Sequence, residues 1–389
     1  MTSEQKYFIQ ILSDHLAGRE SSPPGEPIDW TDIVSAAKKH DLSGIVWHQC
    51  HKFSPQAEDL YAHCRNSLYN YGRRLKTEEL IKTAFEKAGI ENFVVKGSLV
   101  AALYPIPAYR TMGDTDFVVR ENEYERAHDY LLAEGFKCRN DLSDERVYYR
   151  DGIFIELHFR LIDIEDSDSQ KSFDYFNNCW EHDSDGWVEP DFHMEYIIDH
   201  VRKHLVYEGV GFRQFMDVAV LTKNCGELNW SRIENRMREI GLWGFAERTL
   251  AMNEKWFGVT PPVTCGEVAD SFFAAATESI YANGTFGRDN SANEVGEAVK
   301  SSRDSKHKRL RMISNSLRFI FPSYEKMRQN PPFAFVEGRP YLLPVAWVYR
   351  IVRSIFVKHA KRGFRAAKSY IISDEEYTKR EEWLKSWRL

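Results

Sequence analysis

An α+β fold, in which a small mixed, largely antiparallel sheet is flanked by helices and both ends of the chain are helical, is predicted by three observations. Helical spacing of apolar residues dominates residues 4–87, strand-like runs replace it from Gly89, and helical spacing returns from Met194. With 389 residues, 43% apolar and 14% aromatic, the chain has ample material for two or three folded cores.

Each element has a local reason. Tyr7, Ile11 and Leu12, and later Leu68, Tyr71, Leu75 and Leu80, recur at helical spacing, with the Ser/Pro/Gly-rich segment 21–27 as a break. Residues 1–88 are therefore expected to form a helical N-terminal region. Strands are expected at 90–96, 115–120, 136–139, 146–150 and 153–161, with one amphipathic helix at 123–134 closed by Gly135. Asp151-Gly152 between two such runs is a hairpin signal, so the last two strands should pair antiparallel. These runs define an α/β core over residues 89–165.

An acidic, loop-like stretch at 163–169 follows the core. Helices are then expected at 194–205, 212–223, 231–240 and 244–257, with Pro261-Pro262 as a break, inside a helical domain spanning 166–299. Residues 300–389 read as a basic helical region, carrying 21 Lys+Arg against 8 Asp+Glu, a formal +13 that leaves −19 for the remainder. Its markers are a polar stretch at 288–307 just before and into it, an apolar run at 342–357 suited to docking, and a basic run of Lys358, Lys361, Arg362, Arg365 and Lys368. A protein or RNA partner is a candidate for this region.

The N-terminus shows no secretory signal, and no run approaches the length of a membrane span. The six cysteines are scattered without Cys-x-x-Cys spacing, which argues against a disulfide framework and a zinc knuckle. A cytoplasmic protein with free thiols is the expectation.

The chemistry concentrates in the central segment. Asp114 and Asp116 flank Thr115 at the start of an apolar strand, so both carboxylates should face the same way and repel unless a cation neutralises them. Glu156, in the alternating run 153–159, offers a third acid. Two aspartates on one strand and an acid on another suit hard Mg2+ or Mn2+, the cations that phosphoryl and nucleotidyl transfer require. Upstream, Lys96-Gly97-Ser98 follows an apolar strand: the glycine lets backbone amides approach a phosphate, and a helix starting at Ser98 would be capped by it and aim its N-terminus at the anion. Lys96 and Arg110 are candidates for the positive charge that a triphosphate needs. His158 shares the face of Glu156, and His200 and His204 lie one helical turn apart without a zincin glutamate between them.

In this order of motifs the chain resembles the nucleotidyltransferase superfamily with the polymerase-beta-like fold. The likeness is strongest to an uncharacterised bacterial nucleotidyltransferase family, carried by Lys96-Gly97, Tyr104-Pro105, Arg110, Asp114-x-Asp116 and Glu156-Leu157-His158, with spaced histidines and an Arg-x-x-x-Asp matching His200, His204, Arg213 and Asp217. It covers residues 90–225 well. Fifteen residues between Ser98 and Asp114, and Thr115 inside the acid pair, depart from the commoner pattern. The resemblance implies catalytic and metal-binding roles for Asp114, Asp116 and Glu156, with two ions when nucleotide is bound. It implies nucleotide contacts from Lys96, Gly97, Ser98 and Arg110, and supporting positions for His158, His200, His204 and Arg213. The expected reaction moves NMP from an NTP such as ATP to a hydroxyl of a small molecule, protein or RNA and releases pyrophosphate. The competing expectation is a non-catalytic nucleotide-sensing or protein-binding module on the same fold, such as a toxin-antitoxin component.

Overall fold

The computed structural model describes residues 1–141, 145–162, 167, 169–184, 187–224, 226, 228–285, 321, 323–328, 331–356 and 374–389. The expected acidic stretch at 163–169 in large part, the polar stretch at 288–307 and the basic run at 358–368 lie outside the described residues. The chain divides into two units, one of Met1–Lys203, Val210–Arg288 and Arg388–Leu389, the other of His204–Gly209 and Asp289–Trp387.

In the first unit, helices α1 (Ser3–Leu16), α2 (Trp30–Lys39), α3 (Ser43–Cys50) and α4 (Tyr61–Ala88) precede the sheet. Thr2 opens α1 with a capping box, its hydroxyl accepting from the Gln5 amide while the Gln5 side chain accepts from the Thr2 amide. The 28-residue α4 ends at Gly89, whose φ of 65° supplies the left-handed turn into β1.

All five expected strands form: β1 (Asn92–Val95), β2 (Asp116–Val119), β3 (Lys137–Asp141), β4 (Glu145–Arg150) and β5 (Ile153–His158). Their order across the sheet is β1-β2-β5-β4-β3, with β2 and β5 parallel and the other neighbours antiparallel. The sheet is therefore mixed and largely antiparallel, as expected. Asp151 and Gly152, with φ of 51° and 83°, make the tight turn between β4 and β5; a β-branched residue at either place would be strained. Between β1 and β2 lies the one-turn helix α5 (Gly97–Ala101), and between β2 and β3 the longer α6 (Tyr124–Ala133), which packs with α4 on one face of the sheet. Phe117, Val119, Ile153, Ile155 and Leu157 point into that buried layer beside Ile81, Phe85, Ala127 and Leu131. Strand alternation then sends Asp116, Glu156 and His158 to the opposite face.

Helices α7 (Gln170–Asn177), α8 (Pro190–Lys203), α9 (Phe212–Asn224), α10 (Trp230–Glu239), α11 (Trp243–Phe257) and α12 (Asp270–Asn283) follow, with a two-stranded ribbon, β6 (Asp183–Ser184) and β7 (Trp187–Val188), after α7. The helix expected at 194–205 begins earlier because Pro190 suits a first helical turn, and it passes at His204 into a π-helical turn that belongs to the second unit. The described part of the second unit holds α13 (Tyr324–Arg328), α14 (Leu343–Phe356) and α15 (Asp374–Ser386), with a small core of Met327, Phe333, Val336 and Ala346. Among the described residues no helix is long and apolar enough to cross a membrane.

Candidate active site

The parallel pairing of β2 with β5 sets Asp116 directly beside Glu156, and His158 follows two residues later on the same face. Ligand atoms of these three side chains all lie within 4.8 Å of one another. His158 Nε2 is 3.3 Å from Asp116 Oδ1 and 3.6 Å from Glu156 Oε2, and Lys96 Nζ reaches the same Asp116 oxygen at 2.7 Å. Asp116 thus meets two cationic partners, of which it shares His158 with Glu156, and its side chain is only 2% exposed.

The protonation states follow from that crowding. Burial opposes the Asp116 charge, yet Lys96 and His158 outweigh it and hold the carboxyl below its usual range. Glu156 is compensated less: burial first, and then the charges of Asp116 and Asp114, push its carboxyl up to about 7 against the neighbouring His158 ring and Lys96. His158 resists burial through both carboxylates and rises to about 9. Lys96, despite burial, is held well above its usual value by Asp116. A carboxyl that titrates near neutrality beside one that stays ionised is the condition a divalent cation relieves, and the oxygen donors are of the hard type that Mg2+ and Mn2+ take.

Asp114 departs from the expected strand placement. β2 begins at Asp116, and although the Thr115 amide donates to the Phe154 carbonyl and the Glu156 amide to the Thr115 carbonyl, Asp114 lies half-buried in the turn ahead of the strand. Its carboxylate is outside the tight Asp116–Glu156–His158 group. A Cβ added to Gly97 would stand 3.8 Å from the Asp114 carbonyl oxygen, so the glycine turn and the aspartate segment lie side by side.

The turn itself is bent in an unusual way. Lys96, a non-glycine residue, has φ 57° and ψ −124°, and Gly97 follows with φ 23°. This turns the chain one residue sooner than expected: α5 begins at Gly97, so Ser98 lies within it and does not cap it. The Ser98 hydroxyl is buried without a hydrogen-bond partner. His193, on the first turn of α8, holds the bend by accepting from the Lys96 amide through Nε2 at 3.1 Å. Burial and the charges of Arg110 and Lys96 drive the His193 ring down to about 4, so it is neutral and able to accept.

Arg110 is committed elsewhere than to a free anion. Its Nε and Nη2 donate to the two oxygens of Asp217 at 2.8 Å each, Tyr104 donates to the same carboxylate at 2.8 Å, and Nη1 donates to the Gly97 carbonyl at 3.2 Å. The pair is a buried strut from α9 to the glycine turn. Arg213 donates to the Thr111 carbonyl and so braces the segment leading to Asp114. His200 is a helical turn beyond Tyr196, whose ring centroid lies 5.8 Å from Lys96 Nζ and 6.4 Å from the His200 ring; neither His200 nor His204 joins the carboxylates.

Two contributors are not evident from the sequence. His193 is one; the other is Arg74 on α4, which donates through Nη2 to the Gly113 carbonyl at 2.6 Å while its buried Nε and Nη1 have no partner. Burial pulls the guanidinium below its usual range, and the charge of Asp114 pulls the other way. Arg74, Glu78, Ile81 and Phe85 share the buried face of α4, and a charged residue on an apolar stripe is the signal that marks Arg74.

A mixed five-stranded sheet of this kind, flanked by helices and carrying acids on its two parallel strands beside a glycine turn, is of the nucleotidyltransferase class. The family model for uncharacterised nucleotidyltransferases matches residues 26–258, and the chain belongs to that family. No curated protein and no solved structure gave a match.

Proposed function

We propose that the chain is a divalent-metal-dependent nucleotidyltransferase that moves a nucleoside monophosphate from an NTP to a hydroxyl of an acceptor and releases pyrophosphate. The observation that carries this reading is the Asp116–Glu156 register on the parallel strands, where burial and excess negative charge lift the Glu156 carboxyl to about 7. Asp116 and Glu156, with Asp114 beside them, would hold Mg2+ or Mn2+, two ions when nucleotide is present. Such ions, when bound, neutralise the charge of the phosphates and favour the alkoxide form of the acceptor.

In the reaction the acceptor oxygen attacks the α-phosphorus, the bond to the bridging oxygen breaks, and pyrophosphate leaves with the electron pair. Glu156 takes the acceptor's proton where the ions rest on Asp114 and Asp116; its carboxyl, raised to about 7 without metal, would be lowered by a bound ion. His158 orients Glu156 and Asp116. Lys96 places an ammonium 2.7 Å from Asp116 to meet phosphate charge, while Gly97, the unpartnered Ser98 hydroxyl and the free donors of Arg74 line the approach to the phosphates. Arg110 positions the turn through the Gly97 carbonyl and leaves phosphate contact to these other groups.

The test is transfer of label from α-labelled ATP, GTP, CTP and UTP, with Mg2+ or Mn2+, to small-molecule hydroxyls, protein and RNA ends. Asp114→Ala and Asp116→Ala are expected to abolish labelling while the fold persists. Labelling that survives both changes would overturn the assignment.

A further inference from the structure

We propose that Lys96 is a built-in competitor of the divalent ion: its ammonium holds the Asp116 carboxylate until the phosphates of a nucleotide draw it off, so that metal and nucleotide bind together. This rests on the reading of Asp116 and Glu156 as a metal centre. Lys96 Nζ lies 2.7 Å from Asp116 Oδ1, and His158 Nε2 is 3.3 Å from the same oxygen. The contact is one of charge more than of hydrogen bonding, since Asp116 Oδ1 is buried without a hydrogen-bond partner of good geometry. Hard cations take a carboxylate oxygen at roughly 2.0–2.6 Å, so an ion on that oxygen and the ammonium would stand within about 5 Å of each other. Little water separates them there, because the Asp116 side chain is 2% exposed and that of Lys96 16%. Like charges so placed compete for the oxygen.

The backbone at Lys96 is pinned, and its side chain is the part that can turn. His193 accepts from the Lys96 amide at 3.1 Å and Arg110 donates to the Gly97 carbonyl at 3.2 Å, so the bend with φ 57° and ψ −124° at Lys96 is held on both sides. What remains movable is a four-carbon stem carrying a compact charge. The ring of Tyr196, its centroid 5.8 Å from Nζ, lines one side of the ammonium's position. Lys96 also opens the glycine turn that the nucleotidyl-transfer reading gives to the phosphates. Triphosphate oxygens arriving there offer the ammonium new partners with no movement of the backbone. Its departure frees the Asp116 oxygen for the ion, and by linkage each ligand raises the affinity for the other by the same factor.

The measurement is Mn2+ binding without nucleotide, read from loss of the free-ion electron paramagnetic resonance signal, for the unaltered chain, Lys96→Met and the double variant Lys96→Met/Asp116→Asn. Lys96→Met is expected to bind Mn2+ at least about tenfold more tightly than the unaltered chain, and the double variant to lose that gain. Should the change lower the melting temperature, Lys96→Gln is the second variant, with the same gain expected. Melting curves report the coupling: Mn2+ alone should stabilise Lys96→Met, whereas the unaltered chain needs an NTP as well. Equal Mn2+ affinity in the unaltered chain and both Lys96 variants, or a gain that survives Asp116→Asn, would overturn the proposal and leave the metal centre standing. Mn2+ bound by none of these proteins, with or without an NTP, would overturn the metal centre and the proposal with it.

Discussion

Two buried groupings of carboxylate and cation lie on either side of the Lys96-Gly97 turn, and they are built on opposite principles. In the Arg110–Asp217 strut each carboxylate oxygen has a guanidinium donor at 2.8 Å, Tyr104 adds a third bond, and burial is matched by partners. In the Asp116–Glu156 cluster one oxygen of Asp116 is shared by Lys96 and His158, while Glu156 has only the His158 ring, at 3.6 Å, against burial and the neighbouring acids. The first arrangement is complete within the chain. The second leaves a raised carboxyl beside an ionised one, and it is this imbalance that the proposed metal centre rests on.

The comparison breaks most visibly in stability. Arg110→Ala strands Asp217 as a buried charge and should cost about 3–5 kcal/mol in urea denaturation, and Arg110→Lys should recover only part because the two-pronged geometry is lost. Glu156→Gln should fall within about 1 kcal/mol of the unaltered chain, or above it at alkaline pH, since a carboxyl raised to about 7 is one whose ionised form the fold disfavours. Nucleotidyl transfer by Glu156→Gln should nevertheless drop by at least about a hundredfold, measured as initial rate.

Glu195 sharpens the distinction without touching the site. Its side chain is 0% exposed, Tyr175 donates to one oxygen, and Arg236 stands 4.0 Å from the other. Burial, helped by Asp191 and Glu189, pushes the carboxyl up to about 8. A raised carboxyl contributes stability that is full below its unfolded value of 4.5 and declines as pH climbs through 8. Across that window the unaltered chain should lose up to about 5 kcal/mol that Glu195→Gln does not lose, read from denaturation at a series of pH values. A smaller effect is expected at His193, where His193→Gln keeps an acceptor for the Lys96 amide and His193→Ala should cost about 1–2 kcal/mol.

Much of this is legible in the sequence because it depends on local pattern. The alternation at 153–158 sets the face of Glu156, Asp151-Gly152 announces the β4–β5 turn, and the four helices expected beyond Met194 form within a few residues of their apolar repeats. Features that depend on distant pairing are not. Arg110 reads as a free cation until Asp217, 107 positions away, is folded against it. Asp114 and Asp116 look equivalent by spacing, yet the strand begins at Asp116 and separates them. Arg74 carries a trace, as a charge on the apolar stripe of α4, whereas His193 carries none, since a buried neutral histidine reads like any other residue of a helix's first turn.

The most direct measurement is thermal denaturation of the unaltered chain and of Asp116→Asn, each with an NTP in the presence and absence of Mn2+. Stabilisation of the unaltered chain that requires both nucleotide and metal, and that disappears in Asp116→Asn, is the predicted result. An equal response in the two proteins, or none in either, would contradict the claim that the charge deficit at Asp116 and Glu156 is a metal and nucleotide centre.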